Sequence, residues 1–181
     1  MTSRLGATID VEQNHVRFLG DLILNLWDCG GQDSFMDSFL NAQRPTIFSH
    51  VGVLIYVFDV ESRDLPKDIE TYRECLEALT RYSPEAAVFL LVHKMDLIRT
   101  NRRGVLEKKT RDLQEQSGEV PITVFGTSIY DESLYKVGAL SLLYTMRVDY
   151  MSCTGVVTHC TYTHPQRCYP HETPNDLCRR L

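Results

Sequence analysis

An apolar run, Leu22-Ile23-Leu24-Asn25-Leu26-Trp27, stops abruptly at Asp28-Cys29-Gly30-Gly31-Gln32, where an acid, two glycines and an amide follow in quick succession. Glycines permit backbone conformations closed to other residues, so a strand ending this way suits delivery of a loop to a phosphate. Two later apolar runs also end in polar residues: Ala87 to Val92 in His93-Lys94-Met95-Asp96, and Val120 to Phe125 in Gly126-Thr127-Ser128-Ile129. Taken alone, D-x-x-G-Q is equally well read as a strand followed by a glycine turn. Its meaning depends on whether the other two stretches reach the same edge of a sheet.

The elements that would position these loops follow from periodicity. His15-Val16-Arg17-Phe18-Leu19 alternates apolar and polar residues, and Gly20-Asp21 supplies a turn before Leu22, which predicts a β-hairpin. Phe35, Met36, Phe39 and Leu40 recur at helical spacing until Arg44-Pro45 interrupts them, predicting a short or irregular helix. Val51 to Asp59 is nearly continuous apolar sequence, as expected of a strand covered on both faces in a mostly parallel sheet. Ile69, Tyr72, Cys75, Leu76 and Leu79 mark one side of a helix, and a solvated helix is expected between Arg99 and Ser117. Leu134, Val137, Leu140, Leu143 and Tyr144 predict another. Strands alternating with helices indicate a doubly wound α/β domain whose ligand site lies at the carboxyl edge of the strands.

A chain of 181 residues with 43% hydrophobic content suffices for one globular domain. Its net charge of −5, with acids and bases interspersed, offers no basic footprint for nucleic acid and no polybasic patch for a membrane surface. No signal-peptide core and no apolar stretch of ~20 residues is present, so a cytoplasmic chain without membrane insertion is expected. Only Cys29 and Cys75 precede residue 150, which argues against a disulfide framework in the main body. Composition shifts near Met146-Arg147, so a domain over 1–147 and a Cys/His/Pro-rich tail over 148–181 are expected.

With three polar loops at one predicted edge, the chain resembles the small GTPases, and within them the Rag class of A or B type, also called the Gtr/Rag family. The resemblance rests on Trp27-Asp28-Cys29-Gly30-Gly31-Gln32 and His93-Lys94-Met95-Asp96-Leu97, preceded by Leu5-Gly6-Ala7-Thr8-Ile9-Asp10-Val11-Glu12, and covers roughly residues 4 to 145. It implies a P-loop NTPase-like fold, GTP or GDP with Mg²⁺ as ligands, and hydrolysis of GTP to GDP and phosphate. By that resemblance Thr8 and Asp28 would support Mg²⁺, Gly31 would offer its amide to the γ-phosphate, and Gln32 would orient the attacking water. Asp96 would accept two hydrogen bonds from the guanine edge, with the Lys94 stem along the base. His93 stands where most of the family has Asn or Thr, and matches the Rag class; it is equally well a structural histidine at a strand end. Ser128, beside Ile129, lies where backbone donors meet the guanine carbonyl; it is equally well a turn serine. Loss of the γ-phosphate would release the Thr8 and Gly31 segments, a switch. The resemblance further implies pairing with a C- or D-type Rag subunit, recruitment of the TOR kinase complex, and lysosomal scaffold proteins that hold the pair at the lysosomal or vacuolar surface.

Two departures from the family pattern stand out. The sequence holds no G-x-x-x-x-G-K-[ST] stretch, so the first strand, phosphate loop and first helix of the family are expected to be absent. In the resembling fold that strand is central, between the Leu22 and Val51 strands. Its burial would contribute on the order of 10 kcal/mol, so marginal stability is expected, with unpaired inner edges unless the two neighbouring strands close the gap. The tail departs too: Cys153, His159, Cys160, His164, Cys168, His171 and Cys178 have zinc-ligand chemistry, but without a C-x-x-C pair a disordered or alternatively spliced tail is favoured over a zinc site. The absence of the second family domain puts heterodimerisation in question. Two functional readings follow: a guanine-nucleotide switch, and a non-catalytic fragment with little GTP binding that competes for Rag partners.

Overall fold

A computed structural model describes residues 12–18, 22–30, 41–134, 136–137 and 155–160. In chain order the elements are strands β1 (Glu12–Phe18) and β2 (Leu22–Gly30), helix α1 (Asn41–Phe48), β3 (Val51–Asp59), α2 (Leu65–Tyr82), β4 (Ala87–His93), a single 3-10 turn (Met95–Leu97), α3 (Arg102–Ser117), β5 (Ile122–Gly126) and β6 (Gly155–Cys160). They form the expected α/β architecture on a mostly parallel sheet. Its strand order is β1-β2-β6-β3-β4-β5.

The predicted hairpin is present: β1 and β2 pair antiparallel, from Glu12 opposite Asp28 to Phe18 opposite Leu22. All other pairings are parallel, so β2, β6, β3, β4 and β5 end at one edge, with Gly30, Cys160, Asp59, His93 and Gly126. β3 and β4 are the buried strands their apolar sequences predict. Alternation along β3 sends Leu54 and Tyr56 into the larger core with Tyr72, Leu79, Leu90 and Leu113, and Val53 into a smaller one with Phe89, Leu26 and Phe125 on the other face.

α2 presents Tyr72, Cys75, Leu76 and Leu79 to the core, as its spacing predicts, and opens with Asp64, whose side chain accepts from the Lys67 N–H at 3.3 Å. The rings of Tyr56, Phe58 and Tyr72 pack at centroid separations of 4.7, 5.1 and 5.4 Å. The Tyr72 hydroxyl meets Ser117 Oγ at 2.7 Å, and Ser117 Oγ donates onward to the Leu113 carbonyl, tying α2 to α3. Burial pushes the Tyr72 phenol up to about 12. The Cys29 and Cys75 thiols are free, buried and pushed up by that burial, which keeps them protonated and inert.

Three features differ from the sequence reading. α1 runs through Pro45 instead of stopping before it. Proline removes one hydrogen bond there, but the helix drives Ile47 and Phe48 to 1% exposure, and their burial outweighs the loss. Of the last predicted helix, Ser133, Leu134, Lys136 and Val137 are helical, and the rest lies outside the described residues, as do Phe35 to Leu40. The third difference concerns the sheet. The inner slot between β2 and β3, expected to stand open or be closed by its two neighbours, is filled by residues 155–160, which pair with Asn25–Gly30 on one side and Val51–Val57 on the other. These residues, which lie within the expected tail, are a strand of the sheet. The glycine and β-branched run Gly155-Val156-Val157-Thr158 is compatible with an inner strand, but only long-range pairing makes it one. The remainder of 148–181 lies outside the described residues.

Ser83 closes α2 and joins it to the sheet: Val51 N–H donates to its Oγ at 3.0 Å, and that Oγ donates to the Phe48 carbonyl at 2.7 Å. All these groups are buried. Ser83→Ala strands one backbone donor and one acceptor, so equilibrium urea unfolding is expected to show a loss of about 1–3 kcal/mol with the slope unchanged.

Candidate functional site

Among the described residues, Asp59, His93, Lys94, Asp96, Thr127 and Ser128 gather where β3, β4 and β5 end. The β4 register sets Asp59 beside His93, and the chain beyond His93 turns sharply. Lys94 takes a left-handed backbone, φ 62° and ψ 34°, before the 3-10 turn over Met95–Leu97. This conformation is strained for a residue with a side chain. It is held by Met95, whose buried side chain anchors the turn and whose N–H donates to the Thr127 carbonyl at 3.1 Å. Thr127 N–H in turn donates to the Val92 carbonyl at 2.9 Å, so the loops after β4 and β5 are stitched together by backbone. Gly126 allows the close approach: a Cβ there would lie 3.0 Å from Leu106 Cδ2 and 3.3 Å from Met95 Cγ.

The side chains complete the cluster. Asp96 Oδ1 accepts from Ser128 Oγ at 2.6 Å, and the same Oγ accepts from the Tyr130 N–H at 3.1 Å. Ser128 N–H donates to Ser133 Oγ at 2.9 Å; Ser133 is itself held by Asp131, whose exposed carboxyl is lowered by these bonds. Lys94 Nζ forms an ion pair with Asp59 Oδ2 at 2.5 Å, while Asp59 Oδ1 accepts from the Glu61 N–H at 3.0 Å. Arg102 donates from Nη2 to the Asp96 carbonyl at 3.2 Å and from Nε to the Ile98 carbonyl at 2.7 Å, fixing the far end of the turn. Ile129 and Tyr130 stand exposed beside Ser128. Chemically, the arrangement holds a carboxylate, an ammonium and a serine hydroxyl at one mouth, which suits a planar ligand with paired N–H donors.

His93 faces inward. It is buried and shares a 2.9 Å hydrogen bond through Nδ1 with Thr127 Oγ1; burial, then the Lys94 charge, lowers its pKa. The sign follows: the unfolded histidine takes up a proton near pH 6.5 while the folded one does not, so the unfolded state binds more protons below that point. Stability contributed by neutral His93 is complete above about pH 6.5 and is lost as pH falls toward the lowered folded value. Denaturant unfolding at a series of pH values is expected to show this slope, at most about 1.4 kcal/mol per pH unit, and His93→Gln is expected to flatten it.

His93, Lys94, Asp96, Ser128 and Ile129 are thus brought together in one corner. Asp28 lies elsewhere: near the end of β2, level with Thr158 of β6 and Ile55 of β3. It is three strand positions from β4, roughly 14 Å sideways along the same edge. Thr8, Gly31 and Gln32 lie outside the described residues. For Mg²⁺, one half-buried carboxylate at a strand end is a fitting donor, since this ion takes one or two carboxylates and completes its shell with phosphate and water. No group of three or more His, Cys, Asp or Glu side chains is placed to hold a metal among the described residues, and no described helix is long and apolar enough to cross a membrane.

Asp59, Thr127 and Ser133 were missed as functional positions. A signal existed for Asp59, which ends an apolar strand at the ligand edge just as Asp28 does. Thr127 and Ser133 act through short loop hydrogen bonds that leave no pattern in composition.

Comparison with known proteins adds to this geometry. Residues 1–143 match the family model described as the Gtr1/RagA G protein conserved region. The chain is 54% identical over 146 residues to the GTP-binding protein gtr1 of Schizosaccharomyces pombe, covering 80% of this chain and 47% of that protein. It is 52% identical over 146 residues to the Ras-related GTP-binding protein A of Dictyostelium discoideum, covering 80% and 48%. With the Ras-related GTP-binding protein B of Rattus norvegicus it shares 54% over 140 residues, covering 77% and 37%. The chain therefore spans about half or less of the length of these relatives. A solved bacterial selenocysteine-specific elongation factor superposes with a TM-score of 0.59 at 19% identity, covering 83% of this chain and 25% of that one, a likeness of fold.

Proposed function

The chain belongs to the Gtr1/RagA G protein family, and from that premise we propose that it is a guanine-nucleotide-binding switch module whose base-recognising corner is Lys94, Asp96 and Ser128. The observation that carries the reading is the Asp96–Ser128 bond beside the Lys94–Asp59 pair, at the carboxyl edge of a parallel sheet. Asp96 has an oxygen pair for the N1–H and exocyclic amine of guanine; adenine offers no such pair of donors. Its Oδ2 has no hydrogen-bond partner among the described residues, and Oδ1 is steadied by Ser128. Relatives 52% and 54% identical in sequence are named as GTP-binding proteins, which supports the same ligand here.

In this reading Thr8 and Asp28 hold Mg²⁺, which supplies charge stabilisation to the phosphates. Gly31 lends its amide to the γ-phosphate, and Gln32 orients water for hydrolysis to GDP. Pairing with a C- or D-type Rag subunit, action on the TOR kinase complex and residence at the lysosomal or vacuolar surface extend the proposal from the family resemblance. The test is competition. A fluorescent guanine nucleotide bound to the purified chain with Mg²⁺ is expected to be displaced by GDP and not by ADP. Equal displacement by both would sink the reading.

A second reading, of another class, is a binding fragment without turnover that keeps the base-recognising corner and competes for Rag partners. Phosphate release from GTP distinguishes the two. Turnover abolished by Gln32→Leu supports the switch; no turnover in either protein supports the fragment.

A further inference from the structure

The strand order carries a consequence for how the two parts of the sheet are joined. Among the described residues β2 and β3 share no pairing; each spends its inner edge on β6. An inner strand directs successive backbone groups alternately to its two neighbours, so one short segment serves both edges. Without it, β2 and β3 stand two strand spacings apart, roughly 9–10 Å, too far to hydrogen-bond, and each exposes a row of unpaired donors and acceptors. The β3–β4 and β4–β5 pairings need nothing from β6.

β6 also sets the register between the two parts. It places Asp28 level with Ile55, and Gly30 level with Val57, so that the chain leaving β2 does so close to the edge where Asp59 and His93 end their strands. The register shift on β3 between Val51 and Val53 precedes this stretch and fixes Val156 against Val53. A slip by one residue would turn every side chain of β2 to the opposite face. Residues 155–160 lie beyond the family-model match, which ends at residue 143.

We propose that residues 155–160 are a detachable inner strand that fastens the Asp28-bearing hairpin to the base-recognising half of the sheet, and that the slot between β2 and β3 accepts this same extended segment supplied as a separate peptide. Inserted, it holds Asp28 in register with the Lys94–Asp96 corner. Withdrawn, it frees the hairpin, taking Trp27 and Cys29 from the larger core and Leu26 from the smaller, while β3, α2, β4, α3 and β5 keep the rest of their packing, an order–disorder element of the kind that separates two halves of a site. The proposal does not depend on which ligand the corner binds.

Hydrogen–deuterium exchange with mass spectrometry on the full chain tests it. In the wild type, amides of 25–30, 53–57 and 156–160 are expected to be protected together. Val157→Pro removes an inner-strand N–H and places a ring where only edge strands tolerate one. It is expected to speed exchange in 12–30 by about a hundredfold or more while 87–93 and 122–126 keep their protection. A synthetic peptide of residues 153–162 is expected to restore protection at 25–30, and the same peptide carrying Val157→Pro is not. Four results would overturn the proposal: no protection at 156–160 in the wild type, an unchanged hairpin in the variant, equal loss of protection at 87–93 in the variant, or no response to the peptide.

Discussion

Asp96→Asn is expected to exchange guanine selectivity for xanthine selectivity. In the proposed binding mode the carboxylate accepts from both donors of the guanine edge; each such charge-assisted bond is worth about 1.5–3 kcal/mol, so turning one of the two acceptors into a donor costs about tenfold to a hundredfold or more in guanine affinity. An asparagine offers one acceptor and one N–H donor. Xanthine presents an N–H beside a carbonyl where guanine presents an N–H beside an amine, so the variant complements it. Because the Asn side-chain oxygen still accepts from Ser128 Oγ, which sits 2.6 Å from Asp96 Oδ1 in the present structure, the turn is expected to stay intact. The measurement is competition by GDP and by xanthosine diphosphate against a labelled guanine nucleotide for the wild type, and a labelled xanthine nucleotide for the variant. Unchanged preference in the variant would remove Asp96 from base recognition. A control on Ser128 sharpens the result: Ser128→Ala removes the hydroxyl that steadies Oδ1 but leaves the carboxylate, so affinity is expected to fall by about tenfold with guanine preference retained.

The largest effect on stability is expected at Tyr72. Its ring is fully buried against Tyr56 and Phe58, so Tyr72→Ala opens a cavity between α2 and the sheet and is expected to cost about 3–5 kcal/mol. The hydroxyl is a separate matter. Ser117 Oγ already donates to the Leu113 carbonyl, so the Tyr72 hydroxyl is the donor in the bond between them. Tyr72→Phe therefore leaves Ser117 satisfied as a donor and vacates only an acceptor, for an expected cost near 1 kcal/mol. Urea unfolding of the two variants should separate packing from hydrogen bonding. Equal losses would show that the bond to α3, and not the ring, holds this corner. For a domain whose total stability is about 5–15 kcal/mol, the alanine variant is expected to be close to unfolding at physiological temperature.

Much of the site was legible before any coordinates because its signals are local. An apolar run buried on both faces needs no partner to be recognised, so β3 and β4 stood out, and each ended in residues that the parallel arrangement carries to one edge. α2 declared its buried face through the spacing of Tyr72, Cys75, Leu76 and Leu79. Lys94, Asp96 and Ser128 follow from the resemblance of their loops to the family, and the structure brings them together because β4 and β5 are neighbours. α1 was harder. Proline argues locally for a break, and only the core that receives Ile47 and Phe48 overrules it. The Lys94–Asp59 pair joins two strand ends far apart in sequence, and nothing in either segment names the other.

By itself the sequence determined the alternation of strands and helices and the polar ends of the strands, because periodicity and turn chemistry act over a few neighbours; the candidate base-binding residues came from the resemblance of their loops to a known family. The tertiary structure decided which strands lie side by side. Strand order rests on pairings between distant segments, and residues 155–160 carry too short a pattern to announce theirs. The slot between β2 and β3, which the sequence left either open or closed by its two neighbours, is filled by a segment of the same chain, since two rows of backbone donors and acceptors are far more stable paired than bare.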